Sequence, residues 1–209
     1  MPQIVRAIRQ DDDGGEAYTN RIMTAFMLII TGVAVVVTIG APVVARIYTS
    51  EAWRDPGLTT QYASLVALMF LTLPQIFFYG AFFLIGQILN ARDKFGPMMW
   101  APIANNVVAI AVLSTYLVIW GNQEDHSQAF TGPQILLLGL GSTAGIAVQT
   151  LVLLPFVKKV GFKLRPRFDL KGTGLGKTFS LTKWTIGFVA VNQLVLVIVQ
   201  RLATSATAT

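Results

Sequence analysis

Cysteine is absent from all 209 residues, which removes disulfide frameworks and thiolate chemistry and leaves the redox compartment unspecified. The single histidine, His126, falls in a polar loop and reads as a solvated residue rather than a metal ligand. Charge is scarce: 12% of residues are Asp, Glu, Lys or Arg, against about 25% in soluble domains. No Walker A loop, dinucleotide fingerprint or HExxH helix occurs, so the usual soluble catalytic motifs are missing. The sequence calls for no metal and no cofactor.

What the chain has instead is apolar length. Hydrophobic residues make up 54% of it and its mean hydropathy is +0.61. The few charges cluster between long apolar runs at about 22–46, 62–90, 97–120, 133–157 and 179–202. Each run reaches the ~20 residues that a helix needs to cross the hydrocarbon core. Transmembrane barrels use alternating segments of about 10 residues, a pattern not present here. The first run follows Asp11, Asp12, Asp13 and Glu16 and exceeds the length of a cleavable signal core, so it is expected to stay in the membrane. The expectation is an all-α polytopic membrane bundle of five transmembrane helices, forming a single membrane domain over 1–209.

A net charge of +6 raises the possibility of nucleic acid, but the placement of the cations argues against such a partner. Arg6, Arg9 and Arg21 flank the first run, and Arg92 and Lys94 separate the second from the third. Lys158, Lys159, Lys163, Arg165, Arg167, Lys171, Lys177 and Lys183 lie between or beside the fourth and fifth. The alternate loops hold only Arg46 and Arg54, then none, with Arg201 near the end. The positive-inside rule therefore predicts N-in, C-out topology, with 158–178 as a basic cytoplasmic loop. That loop sets topology and lies within reach of anionic headgroups of the phospholipid bilayer. Arg201 reads as an interfacial anchor.

No Asp, Glu, Lys, Arg or His sits near the middle of a span, which removes the usual proton-relay and ion-pair signals. Polarity within the spans comes from amides, hydroxyls, prolines and small residues. Ser64, Leu68, Thr72, Gln75, Tyr79, Gly86 and Asn90 share a helical face of the second span, with Pro74 positioned to bend it. In the third, Asn105, Asn106, Ala109 and Tyr116 share a sector after Pro102, a second candidate bend. Gly141 and Gly145 form a GxxxG in the fourth, with Gln149 one turn further. The fifth carries Asn192, Gln193 and Gln200, and the first has Thr24, Thr31 and Thr38 at sevenfold spacing. Gln75, Asn90, Asn105, Asn106, Gln149, Asn192 and Gln193 are the candidates for cavity-lining or interhelical polar contacts.

The stretch "GQILNARDKFGPMMWAPIANN" carries Gly86, Leu89, Asn90, Ala91, Phe95, Ala101, Pro102, Asn105 and Asn106. In these residues the chain resembles the MurJ (MviN) family of lipid II flippases, within the multidrug/oligosaccharidyl-lipid/polysaccharide exporter superfamily. "MPQIVRAIRQDDDGGEAY" resembles the family's cytoplasmic link after its second helix. "LPFVKKVGFKLRPRFD" resembles its sixth helix running into a basic loop.

The resemblance implies a partial MATE-like fold equivalent to helices three to seven of a fourteen-helix core. The odd number of spans and the boundaries of the chain agree with a fragment whose partners include the missing parts of the same transporter. It implies a transporter rather than an enzyme, with lipid II, the undecaprenyl-diphosphate-linked peptidoglycan precursor, moved by alternating access across the bacterial cytoplasmic membrane. The family's substrate-engaging cations lie mainly on helices not present, so no substrate-binding arginine is assigned. Two alternatives stand beside it. A drug or ion antiporter of the same superfamily would need a membrane-embedded acid. A membrane-embedded prenyl-diphosphate-processing enzyme would use Asp11, Asp12, Asp13 and Glu16 to bind metal.

Overall fold

The computed structural model describes residues 15–121, 129–169 and 175–206, and for 175–186 the helical backbone alone. Asp11, Asp12, Asp13, Arg6, Arg9, His126 and Lys171, which carry several of the expectations above, lie outside the described residues. Among the described residues every regular element is helical. Five stretches are long and apolar enough to cross a membrane: Glu16–Ile39, Pro56–Ala91, Gly96–Trp120, Gly132–Lys159 and Gly187–Ala206.

Helix α1 (Glu16–Ile39) starts after Gly15, whose φ of 71° lies in the left-handed region, and stops at Gly40. The apolar run continues, but Pro42 lacks the donor that would extend the ladder, and the chain restarts as α2 (Ala41–Tyr48). Two short 3-10 turns, Glu51–Arg54 and Pro56–Leu58, lead into α3 (Thr59–Thr72). A turn at residues 73–74 separates α3 from α4 (Gln75–Ala91). Pro74 thus interrupts its span, whereas Pro102 sits inside the continuous helix α5 (Gly96–Trp120). Helix α6 (Gly132–Leu151) leads into the short α7 (Leu154–Lys159), and α8 (Leu175–Ala206) closes the described chain.

α5 and α6 form an antiparallel pair. At one end Trp100 meets Phe156, on α7 just past the end of α6, edge-on at 5.6 Å. At the other, the buried Gln134 donates to the Tyr116 hydroxyl at 3.2 Å. Gln134 also accepts from the Thr131 backbone N–H at 2.7 Å, the reciprocal half of a capping box that starts α6. Between these ends, a Cβ on Gly141 would run into the Val112 side chain and one on Gly145 into Asn105 Oδ1. The GxxxG therefore lets α6 approach α5 backbone to side chain.

The two ends of the bundle differ in charge. One gathers the start of α1, the α4–α5 turn and the loop after α7, with Arg21, Arg92, Lys163, Arg165 and Arg167; this is the basic end. The buried apolar cluster also sits there: Met23, Ile85, Ile88, Leu89, Ala101, Leu153, Val157 and Phe162. Elsewhere large side chains such as Ile103, Val107, Ile110, Leu117 and Val118 are exposed, as expected where lipid tails are the solvent.

Candidate functional site

Near the middle of the bundle, α4, α5 and α6 enclose a cleft of about 330 Å³ lined by Gln75, Tyr79, Asn105, Ala109, Gly141 and Ser142 among others. Its polar groups are neutral. Gln75 Nε2 donates to Ser142 Oγ at 2.9 Å and to Thr143 Oγ1 at 3.4 Å. The Thr143 hydroxyl donates to the Leu71 carbonyl at 2.5 Å, one turn before the interruption at Pro74. Past that turn the ladder resumes with short-range bonds from Ile76 to Leu73 and from Phe77 to Pro74, at 3.1 Å each. Proline thus breaks the backbone ladder, and hydroxyls of α6 bond to the carbonyls on both sides of the break, Thr150 donating to Phe78 at 3.0 Å. The cleft offers hydrogen bonds to hydroxyl, amide or water partners and no charge to neutralise a phosphate.

Of the residues singled out from sequence, the structure brings Gln75 and Asn105 together in this cleft, with Tyr79 and Ala109. The others scatter. Asn106, on the next position of α5, is exposed on the apolar outer face. Asn90 donates to Met98 Sδ at 3.6 Å at the basic end, where a Cβ on Gly86 would also strike Met98. Gln149 is buried on α6. Asn192 donates to the Phe188 carbonyl of its own helix at 2.9 Å, and Gln193 Oε1 accepts from the Tyr48 hydroxyl at 3.1 Å.

Leu89 and Asn90 of the signature have structural roles at the basic end. Helix α4 closes with a Schellman motif: Asp93 N–H bonds Asn90 O at 3.2 Å and Lys94 N–H bonds Leu89 O at 2.9 Å. Asp93, at φ 58°, takes the left-handed position usually given to glycine. Helix α7 closes the same way. Gly161, at φ 75°, donates to Lys158 O, and Phe162 N–H bonds Val157 O at 3.2 Å while its ring packs on Val157. Arg92 joins the two motifs, donating from Nη1 to Val160 O at 3.0 Å with its guanidinium 5.0 Å from the Phe162 ring centre.

Two features were not foreseen from sequence. Residues 162–169 lie extended along the start of α1, forming a strap. Asn20 receives the strap with both ends of its amide: Nδ2 donates to Lys163 O and Oδ1 accepts from Arg165 N–H, each at 2.9 Å. One helical turn on, Thr24 Oγ1 accepts from Arg167 N–H at 2.8 Å. The register follows from geometry: four helical residues rise about 6 Å and two extended residues about 6.6 Å. Arg21 pairs with Asp169 at 2.6 Å, and its hydrogen bond holds the Asp169 carboxyl below the usual carboxylate range. The period-two alternation of Lys163, Leu164, Arg165, Pro166, Arg167 and Phe168 was the available signal. The second feature, at the opposite end, is a clasp between α8 and residues 48–54. Ser50 N–H bonds Thr204 Oγ1 at 3.1 Å, Trp53 Nε1 donates to Thr204 O at 3.0 Å, and Arg201 approaches Glu51 at 3.6 Å.

Five span-length apolar helices, packed through small residues and a neutral polar cleft, define a multi-pass α-helical membrane protein. The family model described as "Lipid II flippase MurJ" matches residues 1–209. The chain belongs to that family. It is similar to a probable lipid II flippase MurJ of Haemophilus influenzae, 25% identical over 174 residues, covering 79% of this chain and 31% of that relative. A probable lipid II flippase MurJ of Vibrio cholerae is 29% identical over 143 residues, covering 68% of this chain and 25% of the relative. The chain thus spans less than a third of the length of these curated relatives. No solved structure matches it.

Proposed function

We propose that this chain is the portion equivalent to helices three to seven of a lipid II flippase, a transporter that carries the undecaprenyl-diphosphate-linked precursor across the bacterial cytoplasmic membrane by alternating access. The observation that carries the proposal is the family match along all 209 residues. The basic end faces the cytoplasm, giving N-in, C-out topology, in keeping with the gathering of cations there. Within the transporter the cleft at Gln75 and Asn105 supplies neutral hydrogen bonds, to partner helices or to polar groups in a hydrated pathway. The diphosphate takes its cationic partners from parts of the transporter beyond these five spans, since a charge in a low-dielectric cavity needs ionic partners.

The test is complementation. A bacterium depleted of its own flippase regains peptidoglycan synthesis and normal shape when it expresses the complete transporter containing these residues. Growth arrest with lipid II held in the inner leaflet is the result that would sink the proposal.

A further inference from the structure

The strap does more than cover α1. On one side of it a groove of about 380 Å³ runs between α1 and the strap, lined by Met23, Met27, Leu28, Thr31, Leu164 and Phe168 among others, with Arg165 at its edge. On the other side a cleft of about 480 Å³ is lined by Val157, Gly161 and Phe162 with Lys158 and Lys163. Leu154 and Leu164 border both. Leu28, Leu164 and Phe168 stand exposed, at 50%, 43% and 73%. The strap cations Lys163, Arg165 and Arg167 are exposed too and take part in no ion pair among the described residues.

We infer that the strap and its two flanking clefts form a binding site for one anionic diacyl phospholipid of the inner leaflet, its phosphate against Lys163 and Arg165 and an acyl chain on each side of Leu164. Three observations choose this occupant. Two clefts that share a ridge, each with an apolar wall, suit two chains on one head. The cations gather where those clefts meet, complementary to an anionic head. The groove follows α1 from Asn20 to Thr31, about 16 Å at 1.5 Å per residue, which is half of the ~30 Å hydrocarbon core and so one leaflet deep. The leaflet assignment rests on the proposed topology; the site itself does not.

The test uses the purified, delipidated transporter containing these residues, in detergent, with native mass spectrometry reading retained lipid. Phosphatidylglycerol is expected to be retained in preference to phosphatidylcholine. Lys163→Gln and Arg165→Gln each lower retention by about fivefold, the loss expected for one cation near a membrane surface. Arg165→Lys keeps it, and Lys94→Gln, in the other basic-end turn, leaves it unchanged. Asn20→Leu is the discriminating variant: it removes no charge but unpins the strap, so retention falls although the cations remain. If Asn20→Leu loses its helical circular dichroism, Thr24→Val, which removes the acceptor for Arg167 N–H, takes its place.

Equal retention of the two lipids overturns the site, as does full retention when the strap is unpinned. Displacement of phosphatidylglycerol by inorganic diphosphate would reduce it to a surface anion site and overturn the two-chain assignment. In the complete transporter, a photo-crosslinker at Leu164 that captures protein instead of lipid would give the groove to another helix and also overturn it. None of these outcomes depends on whether lipid II is flipped.

Discussion

At the scale of single residues, positions in special backbone geometry or held by one partner give the sharpest expectations. Asp93 closes the first Schellman motif in a left-handed conformation that costs an L-residue energy and glycine none. Asp93→Gly is therefore expected to raise stability by about 0.5–1 kcal/mol, visible as a later thermal transition in detergent. Asp169 gives a pH expectation of definite sign. Its folded pKa is lowered, chiefly by the hydrogen bond from Arg21. The contribution of the pair is complete above the ordinary aspartate pKa of about 3.9 and is lost as pH falls through the lowered folded value. Hydrogen exchange at the strap backbone should accelerate only in that acidic window. Arg21→Gln should make strap exchange fast at neutral pH as well; unchanged exchange would show that Asn20 and Thr24 hold the strap without the ion pair.

At the scale of elements, helix-to-helix bonds in lipid contribute about 0.6 kcal/mol each on average, and Thr143→Val, which removes the bond to the Leu71 carbonyl, is expected to cost about that. Gly145→Leu drives a branched side chain into Asn105 and is expected to separate α5 from α6, read as loss of a bismaleimide crosslink between cysteines placed at Tyr116 and Gln134, whose side chains meet at one end of the pair. These helices were legible in the sequence because an apolar run of span length has few other outcomes. Their interruptions were only partly so. Pro74 announced its break, but Pro102 lies inside a continuous helix and Gly40 divides a run that reads as unbroken. The polar face read along the second span is divided among separate contacts: Gln75 and Tyr79 line the cleft, Ser64, before the break, bonds the Phe130 carbonyl at 3.3 Å, and Asn90 bonds Met98 at the basic end. The strap escaped because its six alternating residues are too few to stand out beside five long helices, and its partner Asn20 lies 143 and 145 residues away in sequence.

At the scale of the whole molecule, topology is the property most open to direct measurement, and the absence of cysteine makes the chain its own clean background. Single cysteines at Lys94 or Lys158 are expected to react with impermeant maleimide only after the inner face is opened, and one at Gly57 from outside intact cells; the reverse pattern would overturn N-in, C-out. The tie between the two Schellman motifs also bears on how the bundle is made. Arg92 and the Val160 carbonyl it binds are 68 residues apart, so at about 5–20 residues per second the ribosome supplies the acceptor roughly 3–14 seconds after the donor. During that interval the α4–α5 turn has left the ribosome without its crossbrace. Nascent chains stalled before Val160 should expose Arg92 to protease that chains stalled well beyond it resist, making this one hydrogen bond a clock for the moment at which the basic end of the bundle closes.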